Sequence, residues 1–312
     1  MKGRLFYDCA IVQYLTKTDD MNNNPIFTKI TAMKKTTQLG LVVAALTLSQ
    51  AGGALYVQTV DNIDWNAAMW GVPASAPTAG NNYESAAVGG NNRFRISASG
   101  ASSTFAGDNL TLVTGTTALN KTLNGNTSTV TGTLTLDGGN IVHAPNAGSI
   151  ATLATGGFVV TGTGSTIGLA YTGNSLSITG GLSGTGDLLL DYQDVGAVIS
   201  RTLSFGSVGA YTGTISVTEK VQLDFGSDVD FGGNLAIDSD SFLNIDQSIT
   251  IARDALTFDG SVIAAGIYSG TDLTDLGAGF LDGGGTLTVL PEPSSIALLG
   301  LGGAMALLRR RR

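Results

Sequence analysis

Six aspartates crowd one part of this chain: Asp224, Asp228, Asp230, Asp238, Asp240 and Asp246. Glycosidases and β-helix lyases use such acids, and a retaining or inverting pair needs two carboxyls about 5–10 Å apart, one of them with a raised pKa in a cleft. Acids two residues apart on a strand face the same side, so the pairs Asp228/Asp230 and Asp238/Asp240 could meet that distance. A lyase also wants a base to abstract a proton, and only Arg201, Lys220 and Arg253 are near in sequence. Solvated turn and outer-face acids explain the pattern more simply. Calcium would suit the same hard oxygens, but the Gly-Gly-x-Gly-x-Asp repeat of calcium-bound β-rolls is missing. Asp187 after Gly184-Thr185-Gly186 is a single fragment of it. The sole histidine, His143, sits between Ile141-Val142 and Ala144-Pro145 and reads as an exposed turn residue. No Gly-x-Ser-x-Gly elbow and no His-Glu-x-x-His accompanies it. Glycine pairs such as Gly162-Thr163-Gly164 lack the lysine-bearing helix of a phosphate loop. The expectation is a protein that is not an enzyme, with no metal and no cofactor.

The elements that carry these residues are strands. Short runs alternate apolar and hydroxyl or acidic residues: Leu110-Thr111-Leu112-Val113, Thr133-Leu134-Thr135-Leu136, Leu176-Ser177-Ile178, Thr214-Ile215-Ser216-Val217, Val221-Gln222-Leu223-Asp224-Phe225, and Thr286-Leu287-Thr288-Val289. Each places apolar side chains at i and i+2, the pattern of a half-buried strand, and Gly, Asn or Asp separates one run from the next. No convincing amphipathic helix follows residue 54. The chain is therefore all-β.

Runs of three to five residues with turns every 8–12 residues fit a sandwich, a barrel or a β-solenoid. The segment Gly181-Leu182-Ser183-Gly184-Thr185-Gly186-Asp187-Leu188-Leu189-Leu190, followed by Ala210-Tyr211-Thr212-Gly213-Thr214-Ile215-Ser216-Val217, resembles the autotransporter-associated β-strand repeat. Tyr171-Thr172-Gly173 and Tyr268-Ser269-Gly270 echo its second turn, although the spacing is irregular. The resemblance implies a right-handed parallel β-helix, with Val, Ile, Leu and Phe stacked inside and glycine or asparagine at the corners. At 20 or more residues per coil, residues 55–290 make roughly eight to ten coils. A jelly-roll sandwich is the alternative. Residues 55–103 differ, holding Trp65, Trp70, Pro73 and Pro77, and read as an N-terminal cap with Phe94 and Ile96 on a first strand. Residues 104–290 are the β-rich repeats. Exposed Trp65 or Trp70 would instead suit a sugar-binding module.

Both ends carry targeting patterns. Met33-Lys34-Lys35, an apolar stretch over 39–48 and small residues Ala51, Gly52, Gly53 and Ala54 make a secretory signal peptide at 33–54. Residues 1–32, which contain the one cysteine, Cys9, then read as a misassigned leader, with Met33 the true start. At the other end come Pro291-Glu292-Pro293, an apolar run over 296–308, and Arg309, Arg310, Arg311 and Arg312. The prolines force an extended strip. The apolar run is a hydrophobic helix of roughly 20 Å, short of a bilayer core of about 30 Å. The arginines stop transfer and keep the C-terminus cytoplasmic.

This order of features over 291–312 resembles the PEP-CTERM sorting signal of polysaccharide-producing Gram-negative bacteria. The resemblance implies the Sec translocon and an exosortase-like processing enzyme as partners, with membrane contact through the C-terminal helix. It also implies an extracellular polysaccharide as a neighbour, and a place in the envelope, on the cell surface or in the matrix. Between 55 and 290 stand six basic and twenty acidic residues, a net charge of about −14. Such a surface repels phosphate, so no nucleic-acid partner is expected. The expected role is structural or adhesive; a polysaccharide-active β-helix enzyme or a sugar-binding module is the alternative.

Overall fold

A computed structural model describes residues 53–192 and 201–291, apart from Gly89, Asn91, Ala147, Thr163, Thr172 and Arg253. The body is a parallel β-solenoid of about eight turns. One sheet follows the path Leu55–Val57, Asn82–Glu84, Asn109–Val113, Thr127–Asp137, Ile150–Val160, Ser175–Gly184, Arg201–Tyr211, Val221–Phe225, Phe242–Ile245 and Phe280–Asp282. A second runs through Arg93–Ile96, Thr117–Asn120, Asn140–His143, Ser165–Leu169, Leu188–Tyr192, Thr214–Val217, Asn234–Ile237 and Leu256–Phe258. A third, short sheet holds Val229–Phe231, Ser248–Ala252 and Thr286–Leu290. Every pairing along these paths is parallel. That excludes the jelly-roll, whose strands pair antiparallel.

The alternating sequence explains the core. Because one coil pairs in register with the next, each inward position stacks on its counterpart. Ala151, Leu176, Leu203, Leu223, Leu243 and Phe280 form one such file in the first sheet. Phe94, Ala118, Ile141, Ile167, Leu190, Val217 and Ile237 form another in the second. All are buried. At about 25 cal/mol per Å² these files, rather than any disulfide, hold the coils together.

Coil length varies. Leu110, Leu134, Phe158 and Leu182 stack at a 24-residue spacing, whereas Leu203, Leu223 and Leu243 stack at 20. The 24-residue coils contain strands of ten or eleven residues, longer than the three to five that the sequence suggests. The difference lies in glycine. Gly132, Gly156 and Gly180 sit inside these strands, where the register shifts and the ladder bends without breaking. A second glycine file, Gly162, Gly186, Gly213 and Gly233, occupies a corner where successive coils approach so closely that a Cβ would strike the backbone of the coil before.

The two ends are closed by antiparallel pieces, as an edge exposed to strand addition must be. At the start, Gln58 bridges Trp70 and Trp70 bridges Ser75. Trp65 and Trp70 are fully buried, with the Trp70 ring edge-on to Tyr83, Phe94 and Phe105. Strands Leu55–Val57 and Asn82–Glu84 already belong to the first sheet, so laddering begins upstream of Phe94 and Ile96. At the far end, Ser261–Val262 folds back on Leu256–Phe258, and Gly266–Tyr268 on Thr286–Leu290. A six-residue helix, Thr271–Leu276, buries Leu273 and packs against Phe280–Asp282. No helix among the described residues is long and apolar enough to cross a membrane. Residues 1–52, with the leader and signal peptide, and the hydrophobic helix expected over 296–308 lie outside the described residues.

Candidate functional site

Of the six acids, Asp228 and Asp238 hold backbone N–H groups of a neighbouring coil, whereas Asp224 and Asp230 lie on strands. Asp228 lies in the turn before Val229–Phe231, and its Oδ1 accepts the Ser248 N–H of the next coil at 2.9 Å. Asp230 is on the strand itself, exposed, beside Thr250. Asp228 and Asp230 are both exposed, flanking the buried Val229. Asp238 follows Asn234–Ile237 and accepts the Glu219 N–H of the preceding coil at 3.1 Å. Asp240 is at the exposed tip of that turn; what burial it has, and then Asp238 and Glu219 beside it, push its carboxyl up, against Lys220. Asp224 faces outward, holds Gln222 at 3.0 Å, and is raised chiefly by burial, with Asp246 adding to the effect and the Gln222 and Asn244 amides opposing it.

The same hook recurs elsewhere. Asp187 accepts Thr214 N–H, Asp108 accepts Gly80 N–H, Asn109 accepts Thr133 N–H and Asn81 accepts Ala54 N–H. Corners leave backbone donors outside the ladders, and a short side chain reaching one coil away satisfies them. Among the described residues no three His, Cys, Asp or Glu side chains come together as a metal site. A simple test separates the hook from chemistry. Asp228→Asn keeps an acceptor oxygen and should leave the urea midpoint unchanged, whereas Asp228→Ala should cost about 1 kcal/mol. A large loss from the Asn variant would contradict the hook.

His143 is where the structure departs most from the sequence. It is not an exposed turn residue but the last residue of Asn140–His143, facing inward and fully buried. In the interior file it lies between Asn120 and Leu169, with Ile96 and Tyr192 beyond. Pro145 does make the turn, two residues later than an exposed histidine requires. Among the described residues neither ring nitrogen has a hydrogen-bond partner, and the Asn120 Nδ2 is also unmatched. Burial pulls the His143 pKa down to about 4, Lys121 lowers it further, and the nearby Ser149 backbone opposes them. Asn120 Oδ1 is satisfied by Thr122, whose hydroxyl meets Ser128 Oγ at 2.5 Å.

A feature that spacing alone does not disclose lies on the outer face of the second sheet. Arg93 and Arg95 alternate outward on Arg93–Ile96, and Lys121 follows the next strand, so three of the body's six cations converge. The i, i+2 spacing of the arginines is visible in sequence; the approach of Lys121 needs the coil length. Arg93 Nε and Arg95 Nη2 both donate to Asn62 Oδ1, at 3.2 and 3.1 Å, and Lys121 Nζ donates to Ala144 O at 2.6 Å. Burial lowers the Lys121 pKa, and Arg95 and Arg93 lower it further.

The body ends at the C-terminal signal without a linker. Thr286–Leu290 is a full ladder strand, and Pro291, the first residue of the tripeptide, is exposed directly after it. Glu292, Pro293, Arg309, Arg310, Arg311 and Arg312 lie outside the described residues. No curated protein and no solved structure matches the chain. Residues 289–312 match the family described as PEP-CTERM protein-sorting motif, and the chain thus carries a PEP-CTERM sorting motif at its C-terminus.

Proposed function

We propose that this chain is an exported structural or adhesive protein of the cell surface or extracellular matrix, sorted there by its C-terminal motif. The motif match over 289–312 carries the reading: it implies export and processing by an exosortase. Its placement supports this, because the match begins inside the last strand and the tripeptide starts at an exposed residue. The structural role is supported by what the body invests its polar groups in. Corner acids hold backbone amides of neighbouring coils, while outward files of hydroxyls such as Thr127, Thr152, Ser177 and Ser204 line the first sheet. A sugar-binding role through indole stacking would need an exposed tryptophan, and both are buried. The resemblance to autotransporter-associated repeats accords with a passive surface body. In it, the Tyr211 hydroxyl lies 2.7 Å from Gly186 O, pinning the Tyr-Thr-Gly turn to the Gly-Thr-Gly turn of the coil before.

The test is fractionation of the native host with intact-mass analysis. The surface form should begin near Leu55 and end near Pro291. Replacing Pro291-Glu292-Pro293 by three alanines should leave the protein in the inner membrane with Arg309, Arg310, Arg311 and Arg312 still attached. Normal surface delivery of that variant would reduce the tail to a plain anchor.

A further inference from the structure

The cation group on the second sheet stands out against its surroundings. Residues 55–290 carry about −14 net charge, yet Arg93, Arg95 and Lys121 gather on one face with none of the three ion-paired to a carboxylate among the described residues. Nearby acids are engaged with backbone. Asp64 accepts Asn66 N–H and Ala98 N–H, and Asp61 accepts Arg93 N–H. Burial first, and then Arg95 and Arg93, lower the Lys121 pKa, and no carboxylate figures among these causes. Like charges held together on half-buried side chains are costly unless an anion joins them. Each guanidinium spends one of its five N–H donors on Asn62, and Lys121 one of three on Ala144, which leaves most donors for an incoming ligand.

The neighbouring surface narrows the ligand. Arg93 is in register with Thr117, Asn140 and Thr166 on the three following strands, all half-buried and outward. Strands lie about 4.8 Å apart and same-face neighbours along a strand about 6.6 Å. Arginine forks thus sit at one end of a file of hydroxyl and amide groups. Forks suit planar carboxylates, and the file suits sugar hydroxyls. We propose that Arg93, Arg95 and Lys121 bind the carboxylates of an anionic glycan that lies along Thr117, Asn140 and Thr166. The choice of a glycan rests on the extracellular reading above, but the anion chemistry does not. Duplex or single-stranded nucleic acid is disfavoured because the rest of the body would repel a long phosphate chain.

The experiment is calorimetric titration of the full chain with oligogalacturonate, neutral dextran of similar length, and an oligonucleotide of matched charge. Oligogalacturonate should bind, weakening as salt rises, and dextran should not. Arg93→Gln/Arg95→Gln and Lys121→Gln should each weaken binding at least tenfold, while Arg93→Lys/Arg95→Lys, which keeps the charge but loses the fork, should weaken it less than the Gln pair. Lys220→Gln, on another corner, should change nothing. The Lys121 ammonium, followed by NMR, should titrate at higher pH with oligogalacturonate present. Absence of oligogalacturonate binding, or equal loss from Lys220→Gln, would overturn the site. Tighter binding of the oligonucleotide would overturn the glycan assignment. None of these outcomes depends on the tail, so sorting can fail while the site stands, and the reverse.

Discussion

Gly213→Ala is expected to destabilise the body by about 3 kcal/mol, the upper end of the usual cost of overpacking a core site. A Cβ there would lie 2.0 Å from Gly186 O and 2.8 Å from Tyr211 Oη. The first of these atoms is backbone, so no rotamer change relieves the clash; a whole coil must move. The neighbouring corners offer no slack, since a Cβ built at Gly186 would lie 2.3 Å from Gly162 O and one at Gly233 would lie 2.2 Å from Gly213 O. Opening the corner also strains the Tyr211 hydroxyl contact with Gly186 O. Gly115 makes the control. It has φ +80 but nothing within 4 Å, so Gly115→Ala carries only the left-handed backbone cost of roughly 1–2 kcal/mol. Thermal melts followed by far-ultraviolet circular dichroism should show a drop of about 10 °C for Gly213→Ala and a few degrees for Gly115→Ala. Equal melting of the two variants would refute the close corner.

Acidification should weaken the fold through His143. Its pKa falls from 6.5 in the unfolded chain to about 4 in the folded one, so the unfolded state takes up the proton first. The stabilisation is complete above pH 6.5, declines as pH falls from 6.5 to 4, and is fully lost below that. Two and a half pKa units correspond to about 3 kcal/mol at the limit. The charges facing the ring do not rescue it: Lys121 adds repulsion, and the Ser149 backbone only partly compensates. His143→Leu continues the apolar character of Leu169, the next residue of its file, and removes two unmatched ring nitrogens. Urea midpoints measured from pH 7 to pH 4 should therefore be flatter for His143→Leu than for the parent. Asp224, whose raised carboxyl favours the folded state at low pH, contributes equally to both proteins and cancels in the comparison. Parallel curves would mean that the imidazole is solvated.

Much of the architecture could be read before any coordinates. Leu134-Thr135-Leu136 and Leu223-Asp224-Phe225 each show which side faces inward, and glycine between runs marks where coils turn. What alternation does not encode is which run stacks on which. Leu182 pairs 24 residues back with Phe158, but Leu203 pairs 20 residues forward with Leu223, and nothing local announces the change. Every cross-coil relation inherits that uncertainty, including Lys121 beside Arg95, Asp238 on Glu219 and His143 behind Asn120. Gly132 and Gly156 mislead for a different reason: they look like strand ends, yet in a ladder already supported on both sides they only bend it. His143 was obscured by Pro145, whose turn signal is real but acts beyond the strand. The C-terminal motif was legible because its order of prolines, apolar run and arginines is local.

The last strand has a mechanical meaning. Any tension on residues beyond Pro291 enters the body at Leu290, and Thr286–Leu290 is gripped on both edges. Five register pairs join it to Ser248–Ala252 and three join it to Gly266–Tyr268. A pull along that strand loads these bonds together, in shear, and they cannot unzip one after another. Force arriving through the tail is thereby passed to the preceding coil before the final one can peel away.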